Sequence, residues 1–313
     1  MVNQASRERQ IEALKRALGH DLLSYLQTPN IVEIMLNPDG GLWVDVLGGS
    51  MERVGAIDPV QSMTMISACA SMLGVVVNPE NPILECELPL DGSRFEALIP
   101  PLVSQPTFTI RKKALLIFTL QDYVDKGIIT PAQKETIEEA VRNRENILVA
   151  GGTGSGKTTL ANAILHAVSV LTPEHRIVVI EDTLELQCSA PNAVFLRTSI
   201  STDMTRLLRA TMRLRPDRIV VGEVRDGAAL ALLKAWNTGH PGGAGTVHAN
   251  SAEAALVRVD QLIQEAGVPP VPELIAEAVN VVVFIKRTST GRIVDEIVRV
   301  TGFESGRFVV DNV

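Results

Sequence analysis

Cysteine is scarce in this chain: Cys69, Cys86 and Cys188 are scattered through 313 residues, with no CxxC pair. That spacing supplies neither a disulfide framework nor a zinc site, and an odd count suits a reducing compartment. Aromatic residues make up only 4%, too few for the stacking platforms of single-strand nucleic-acid binders. Bases are outnumbered, 29 Lys and Arg against 36 Asp and Glu, giving a formal net charge of −7. A surface that is a nucleic-acid footprint throughout is thereby excluded; only a local basic channel is compatible with that balance. No apolar run approaches the ~18 residues of a spanning helix. The opening MVNQASRERQIEALKRALGH also lacks the apolar core of a signal peptide. The mean hydropathy of +0.19 therefore reflects cores and interfaces, and the expectation is a soluble, intracellular chain.

What is present suffices for about two domains at ~100–200 residues each. Residues 6–27 carry Ile11, Leu14, Leu18, Leu22 and Leu26 at helical spacing, which predicts an amphipathic helix. Short apolar runs (IVEIML, LWVDVL) then alternate with turn residues in the manner of hairpins. A helix is expected over 59–74, opening at Pro59 after Asp58. Residues 1–110 read as a compact α+β domain and 111–130 as a linker. Thr130-Pro131-Ala132-Gln133 is a capping box with proline at the first helical position. From 131 to 313 strands and helices alternate: NILVA, a glycine loop, TLANAILHAV, RIVVIED, a helix over 203–215, RIVVGE, a helix over 226–238, and GAGTVHA. Such alternation implies an α/β domain with a mostly parallel sheet covered on both faces. VVVFIK, RIVDEIVRV and RFVV read as an added β-meander.

Gly151-Gly152-Thr153-Gly154-Ser155-Gly156-Lys157-Thr158 fits GxxxxGK[ST], between an apolar strand and a helix, with Thr159 following. Glycines let successive N–H groups turn toward phosphate oxygens, and the helix N-terminus adds its positive end. Lys157 suits the β/γ-phosphates and the Thr158 hydroxyl suits Mg²⁺. A glycine-rich turn with a chance GK[ST] would lack that strand-and-helix context, so a nucleotide with Mg²⁺ is the expected ligand.

Hydrolysis needs carboxylates, and two acidic clusters stand at strand ends. Glu181 follows IVVI, and Glu223 follows IVVG, where Gly222 takes the place in which an Asp metal ligand is usual. At the C-terminal ends of parallel strands both face the ligand crevice. The bland alternative for such acids is helix capping, which suits Asp182 and Glu185. Glu223 is then the carboxylate left for Mg²⁺ beside Thr158, and Glu181 the candidate to orient water, with an exchange of the two roles left open. Of five histidines, His240 and His248 bracket a glycine-rich loop, and His248 is the candidate γ-phosphate sensor. Arg206, Arg209 and Arg213 fall on one helical face at i, i+3 and i+7. With Arg215 and Arg218 they form either a solvated stripe or charge offered across a subunit boundary.

In order, GGTGSGKTT, RIVVIEDTLEL, RLRPDRIVVGEVRD and TGHPGGAGTVHAN resemble the four boxes of the secretion-superfamily ATPases. EIMLNPDG, GSRFEALIPP and FTIRK resemble their leader segment, and the likeness is greatest to the ring-forming ATPases of conjugative type IV secretion. The resemblance implies a RecA-like P-loop ATPase domain, a smaller N-terminal α+β domain and a homo-hexameric ring closing over ATP. Lys157, Glu181, Glu223 and His248 would then be the catalytic set. Arg94 and Arg111 match the nucleotide-contacting arginines of the N-terminal domain and linker by motif; otherwise both read as surface residues. The implied partners are inner-membrane secretion or conjugation proteins, with peripheral membrane association through them and no direct nucleic acid. The lack of a tetracysteine insertion argues against the type II and pilus-extension branches. Pilus retraction motors, a nucleotide-gated scaffold with little turnover and a motor acting on DNA remain the alternatives.

Overall fold

The computed structural model describes residues 4–46, 49–113, 117–199, 201–289 and 291–313. Two compact units emerge, Met1–Leu116 and Ile117–Val313.

The first unit runs α1 (Gln4–Gln27), β1 (Ile31–Leu36), β2 (Gly41–Val46), β3 (Met51–Ala56), α2 (Pro59–Leu73), β4 (Ile83–Glu87), β5 (Arg94–Leu98) and β6 (Thr107–Arg111). Its strands form an antiparallel sheet in the order β3-β2-β1-β6-β5-β4. The leucines spaced by four in α1 (Leu14, Leu18, Leu22, Leu26) are all buried, against Met65 and Ile66 of α2 and Ile34, Phe95 and Ile110 of the sheet. Asp58 accepts from the amides of Val60 and Gln61 to cap α2, and Gly74 ends it in the left-handed conformation.

The second unit begins with α3 (Leu120–Asp125), a short helix inside the stretch expected to be linker. Its capping box is built by Thr119 and Asp122; residues 114–116 of that stretch lie outside the described residues. Then come α4 (Pro131–Arg142), β7 (Ile147–Gly151), α5 (Lys157–Leu171), β8 (Ile177–Glu181), β9 (Ala193–Arg197), α6 (Met204–Thr211), β10 (Arg218–Val221) and α7 (Ala228–Asn237). The chain ends with β11 (Ala244–His248), α8 (Ala252–Glu265), α9 (Pro272–Ala278), β12 (Val281–Thr288), β13 (Gly291–Glu304) and β14 (Arg307–Asn312). The sheet order is β14-β13-β12-β7-β11-β10-β8-β9. Neighbours from β12 to β9 are parallel, and β13 and β14 add an antiparallel edge.

The central strands are apolar throughout because both faces are covered. Leu148, Ala150, Val178 and Ile180 point into one core with residues of α7, α8 and α9. Ile147, Val149, Ile177 and Val179 point into the other with α4 and α5. The result is a three-layer α/β unit. The helix expected over 203–215 stops at Thr211. Pro216 disfavours helix in the residue before it, and Arg215 adopts φ 53. The one-face spacing therefore holds only for Arg206 and Arg209.

A buried polar seam aligns the strands at their N-terminal ends. Arg218 is 0% exposed. It donates to His175 Nδ1 at 2.9 Å and to the carbonyls of Gly242 and Val141, each at 2.7 Å. Asn146 Oδ1 accepts from the amides of Gly242 and Gly243, and its Nδ2 donates to Ala278 O. Arg218 thus leaves the exposed arginine run and is a structural clasp.

Candidate active site

The parallel register brings Gly151, Glu181 and His248, the last residues of β7, β8 and β11, and Glu223, two residues past β10, to one end of the sheet. The loop 152–156 turns there from β7 into α5, through Gly154 at φ +69 and Gly156 at φ +97, conformations that L side chains adopt rarely. A Cβ on Gly151 would stand 2.3 Å from Ile285 O, so only glycine fits. Gly156 caps α5 without any side-chain acceptor, leaving the first N–H groups and the positive end of the helix open to an anion. Ser155 Oγ is buried with no hydrogen-bond partner among the described residues. Thr153 is exposed, and Thr158 and Thr159 are half-buried on the first turn.

Lys157 is only 8% exposed. Its ammonium donates to Gly152 O at 2.9 Å and lies 3.3 and 3.4 Å from the two ring nitrogens of His248. His248 Nε2 is in turn 3.4 Å from Glu223 Oε1. Burial alone would raise the Glu223 carboxyl, but hydrogen bonding to Arg225 and the positive charges of Arg225, His248 and Lys157 carry it below the ordinary glutamate value. It is held ionised. Glu181 is 2% exposed, and its Oε1 accepts from the amides of Glu185 and Leu186 at 3.0 and 2.9 Å. A Thr hydroxyl and a glutamate carboxylate are hard oxygen donors of the kind Mg²⁺ takes with phosphate oxygens. Among the described residues no cluster of three or more His, Cys, Asp or Glu offers an all-protein metal cage.

Of the two histidines bracketing the glycine-rich loop, only His248 belongs here. His240 sits at the opposite end of β11, with Nδ1 2.9 Å from Pro216 O. Arg94 and Arg111 lie in the first unit, directly opposite each other on β5 and β6. Glu87 faces Arg94 on one side and Glu33 faces Arg111 on the other, with Arg111 Nε 3.6 Å from Glu33 Oε1. Like charges directly opposite in a sheet are destabilising, and the two flanking glutamates offset that repulsion.

Two arginines at the site were not anticipated. Arg292, at the start of β13, packs its stem on Gly156 and points Nε at Gly154 O, 3.4 Å away. Arg225 donates to Glu223 Oε2 at 2.5 Å and to Asp182 Oδ2 at 3.4 Å. The signal for Arg225 was its i+2 spacing from Glu223 in extended chain, which puts both side chains on one side. Arg292 comes from a hairpin more than a hundred residues distant and left no local trace.

The description "Type II/IV secretion system protein" fits residues 52–295, and the chain belongs to that family. It is 51% identical over 307 residues to a probable conjugal transfer protein TrbB of Sinorhizobium fredii, covering 98% of this chain and 94% of that one. It is also 33% identical over 285 residues to the type IV secretion system protein VirB11 of Bartonella henselae, covering 78% and 79%. The ATPase DotB of Legionella pneumophila shares the fold, with a TM-score of 0.61 at 20% identity over 87% of this chain and 77% of that one.

Proposed function

We propose that this chain is an ATP-hydrolysing motor of a conjugative type IV secretion system. In this reading residues 131–313 form a RecA-like P-loop ATPase domain, joined through 111–130 to the N-terminal domain 1–110. The chain assembles as a homo-hexamer at the cytoplasmic base of the inner membrane, powering pilus assembly or substrate transfer. It is held there by partner proteins of the machinery. Family membership and the likeness to conjugal transfer proteins support the setting. Among the described residues no helix is long and apolar enough to cross a membrane, which suits attachment through partners. The observation that carries the chemistry is the convergence of Lys157, His248 and Glu223 on the open end of α5, behind the glycine loop.

Lys157 would exchange the Gly152 carbonyl for the β/γ-phosphates, while the amides of 151–159 cradle them and Ser155 Oγ gains its partner. Mg²⁺, when bound with ATP, neutralises charge on the β- and γ-oxygens; Thr158 and Glu223 are the residues that would hold it. Glu181, fixed by two loop amides, would orient the attacking water, and His248 would meet the γ-phosphate. Arg94 and Arg111 would add cationic charge from the N-terminal domain. Catalysis on this reading is positioning plus charge stabilisation.

Lys157→Ala tests it: phosphate release from Mg-ATP should fall to background, and turnover at the wild-type rate would overturn the reading. Glu181→Gln and Glu223→Gln separate the two carboxylates. Loss of turnover with nucleotide binding kept marks the water-orienting residue, whereas loss of the Mg²⁺ dependence of binding marks the metal ligand. Light-scattering mass with and without Mg-ATP tests the hexamer.

A further inference from the structure

Resting on the ATPase reading above, we propose that Arg225 is a positioning residue for hydrolysis, clasping Glu223 and Asp182 so that Glu223 is held toward His248 and Lys157. The two oxygens of Glu223 have different partners. Oε2 accepts from Arg225 at 2.5 Å, and Oε1 faces His248 Nε2 at 3.4 Å. A carboxylate tethered at one oxygen has its other oxygen aimed, so the guanidinium decides where Oε1 points.

The tether is itself braced. The other arm of Arg225 reaches Asp182 Oδ2, and Asp182 Oδ1 accepts from Thr198 Oγ1 at 2.9 Å. One chain of polar contacts therefore runs across the C-terminal ends of β10, β8 and β9, joining the acidic turn after β8 to the carboxylate after β10. Backbone geometry supports this placement. Val224 is buried and donates to Thr246 O at 2.8 Å, which anchors the chain between Glu223 and Arg225. Asp226 then takes φ 47, a left-handed conformation that non-glycine residues rarely adopt without being held there. The chain turns sharply into α7 only after Arg225 has been directed back across the strand ends.

The bridging role needs arginine. A planar fork presents parallel N–H groups to two carboxylates at once, whereas a lysine ammonium is a single point of charge. Among the described residues the side-chain hydrogen bonds of Arg225 go to Glu223 and Asp182, so its influence on the reaction passes through Glu223.

The test uses the full-length chain as wild type, Arg225→Gln, Arg225→Lys, Asp182→Asn and the Arg225→Gln/Asp182→Asn double variant. Steady-state phosphate release is measured alongside binding of a fluorescent ATP analogue. Arg225→Gln should lower kcat by about 10- to 100-fold, the loss typical when a supporting contact to a site ligand is removed, with KM and nucleotide affinity nearly unchanged. Arg225→Lys should recover part of kcat. Asp182→Asn should lose less than Arg225→Gln, and the double variant should be no worse than Arg225→Gln alone.

A wild-type kcat in Arg225→Gln overturns the proposal, as does a KM rising in step with the loss of rate. So does recovery of turnover on mixing Arg225→Gln with Lys157→Ala subunits, since that places the guanidinium at a neighbouring subunit's nucleotide. Absence of turnover in the wild type removes the ATPase reading itself, a result distinct from all three.

Discussion

A Cβ added to Gly222 would stand 2.9 Å from Cγ of Glu181 and 3.1 Å from its Oε1. Glu181 ends β8 and Gly222 directly follows the adjacent parallel β10, with Gly222 N donating to Ile180 O at 2.9 Å. The buried glutamate of the neighbouring strand fills the space that a side chain at position 222 would need. Gly222 and Glu181 are complementary in shape.

Restoring the usual acid should therefore do harm. Gly222→Asp must push Glu181 off the amides of Glu185 and Leu186, at a cost of about 1–3 kcal/mol for overpacking a filled site. The denaturant midpoint of the larger unit should fall, and phosphate release should fall with it. Unchanged stability and turnover would show that Glu181 is free to move aside.

Gly243 is more tightly confined. A Cβ there would lie 2.1 Å from Trp236 Nε1 and 2.2 Å from Ile219 O, between the donor and acceptor of the buried Trp236–Ile219 hydrogen bond. Gly243→Ala is expected to lose at least about 2 kcal/mol through overpacking and a broken buried bond. Chemical denaturation followed by tryptophan fluorescence measures it directly.

Arg218 and Arg209 should behave as opposites despite belonging to one arginine run. Arg218→Met leaves the buried carbonyls of Gly242 and Val141 without their donors, at about 1–3 kcal/mol each. Arg209→Ala removes an exposed side chain and should change stability by no more than about 0.5 kcal/mol. Parallel denaturant titrations of the two variants make the comparison.

Burial holds His175 below its ordinary value of 6.5, reinforced by the charges of Arg218 and Arg144 and opposed by Glu174 and Asp217. The neutral ring accepts from Arg218 Nε. Above pH about 6.5 the ring is neutral in both folded and unfolded chains, and its contribution to stability is complete. As pH falls further, the unfolded chain takes up a proton that the folded chain refuses, so stability declines until the lowered folded value is passed. Denaturant midpoints between pH about 7.5 and 5.5 should fall in the wild type and fall less in His175→Gln.

Local chemistry made much of this legible. The Thr130–Gln133 capping box appears as read, with Pro131 at the first helical position, because its partners are three residues apart. The glycine loop, Glu181, Glu223 and His248 were readable as candidates, since strand-loop-helix alternation in a parallel sheet sends strand ends to one side. The β12–β14 meander followed from three short apolar runs rich in β-branched residues, although its joining β7 in parallel did not. Helix α8 was missed although its buried Ala252, Ala255, Leu256, Val259, Leu262 and Ile263 keep helical spacing, whereas α9 and strand β9 are too short to carry a strong period. The arginine run shows the limit most clearly: Arg206, Arg209, Arg213, Arg215 and Arg218 are equivalent as letters. Only Arg218 falls where strand register points it inward, among carbonyls that need a donor.

By itself, then, the sequence determined the residue types of the site and the elements that carry them, because glycine loops, caps and apolar periodicity act over a few bonds. Tertiary structure alone decided which His of the pair reaches Lys157, that Glu181 fills the space beside Gly222 and that Arg225 links Glu223 to Asp182. Those relations depend on which strands lie side by side and in what register. Hydrogen bonds and close contacts between them join groups tens of residues apart in the chain, where no local pattern records them.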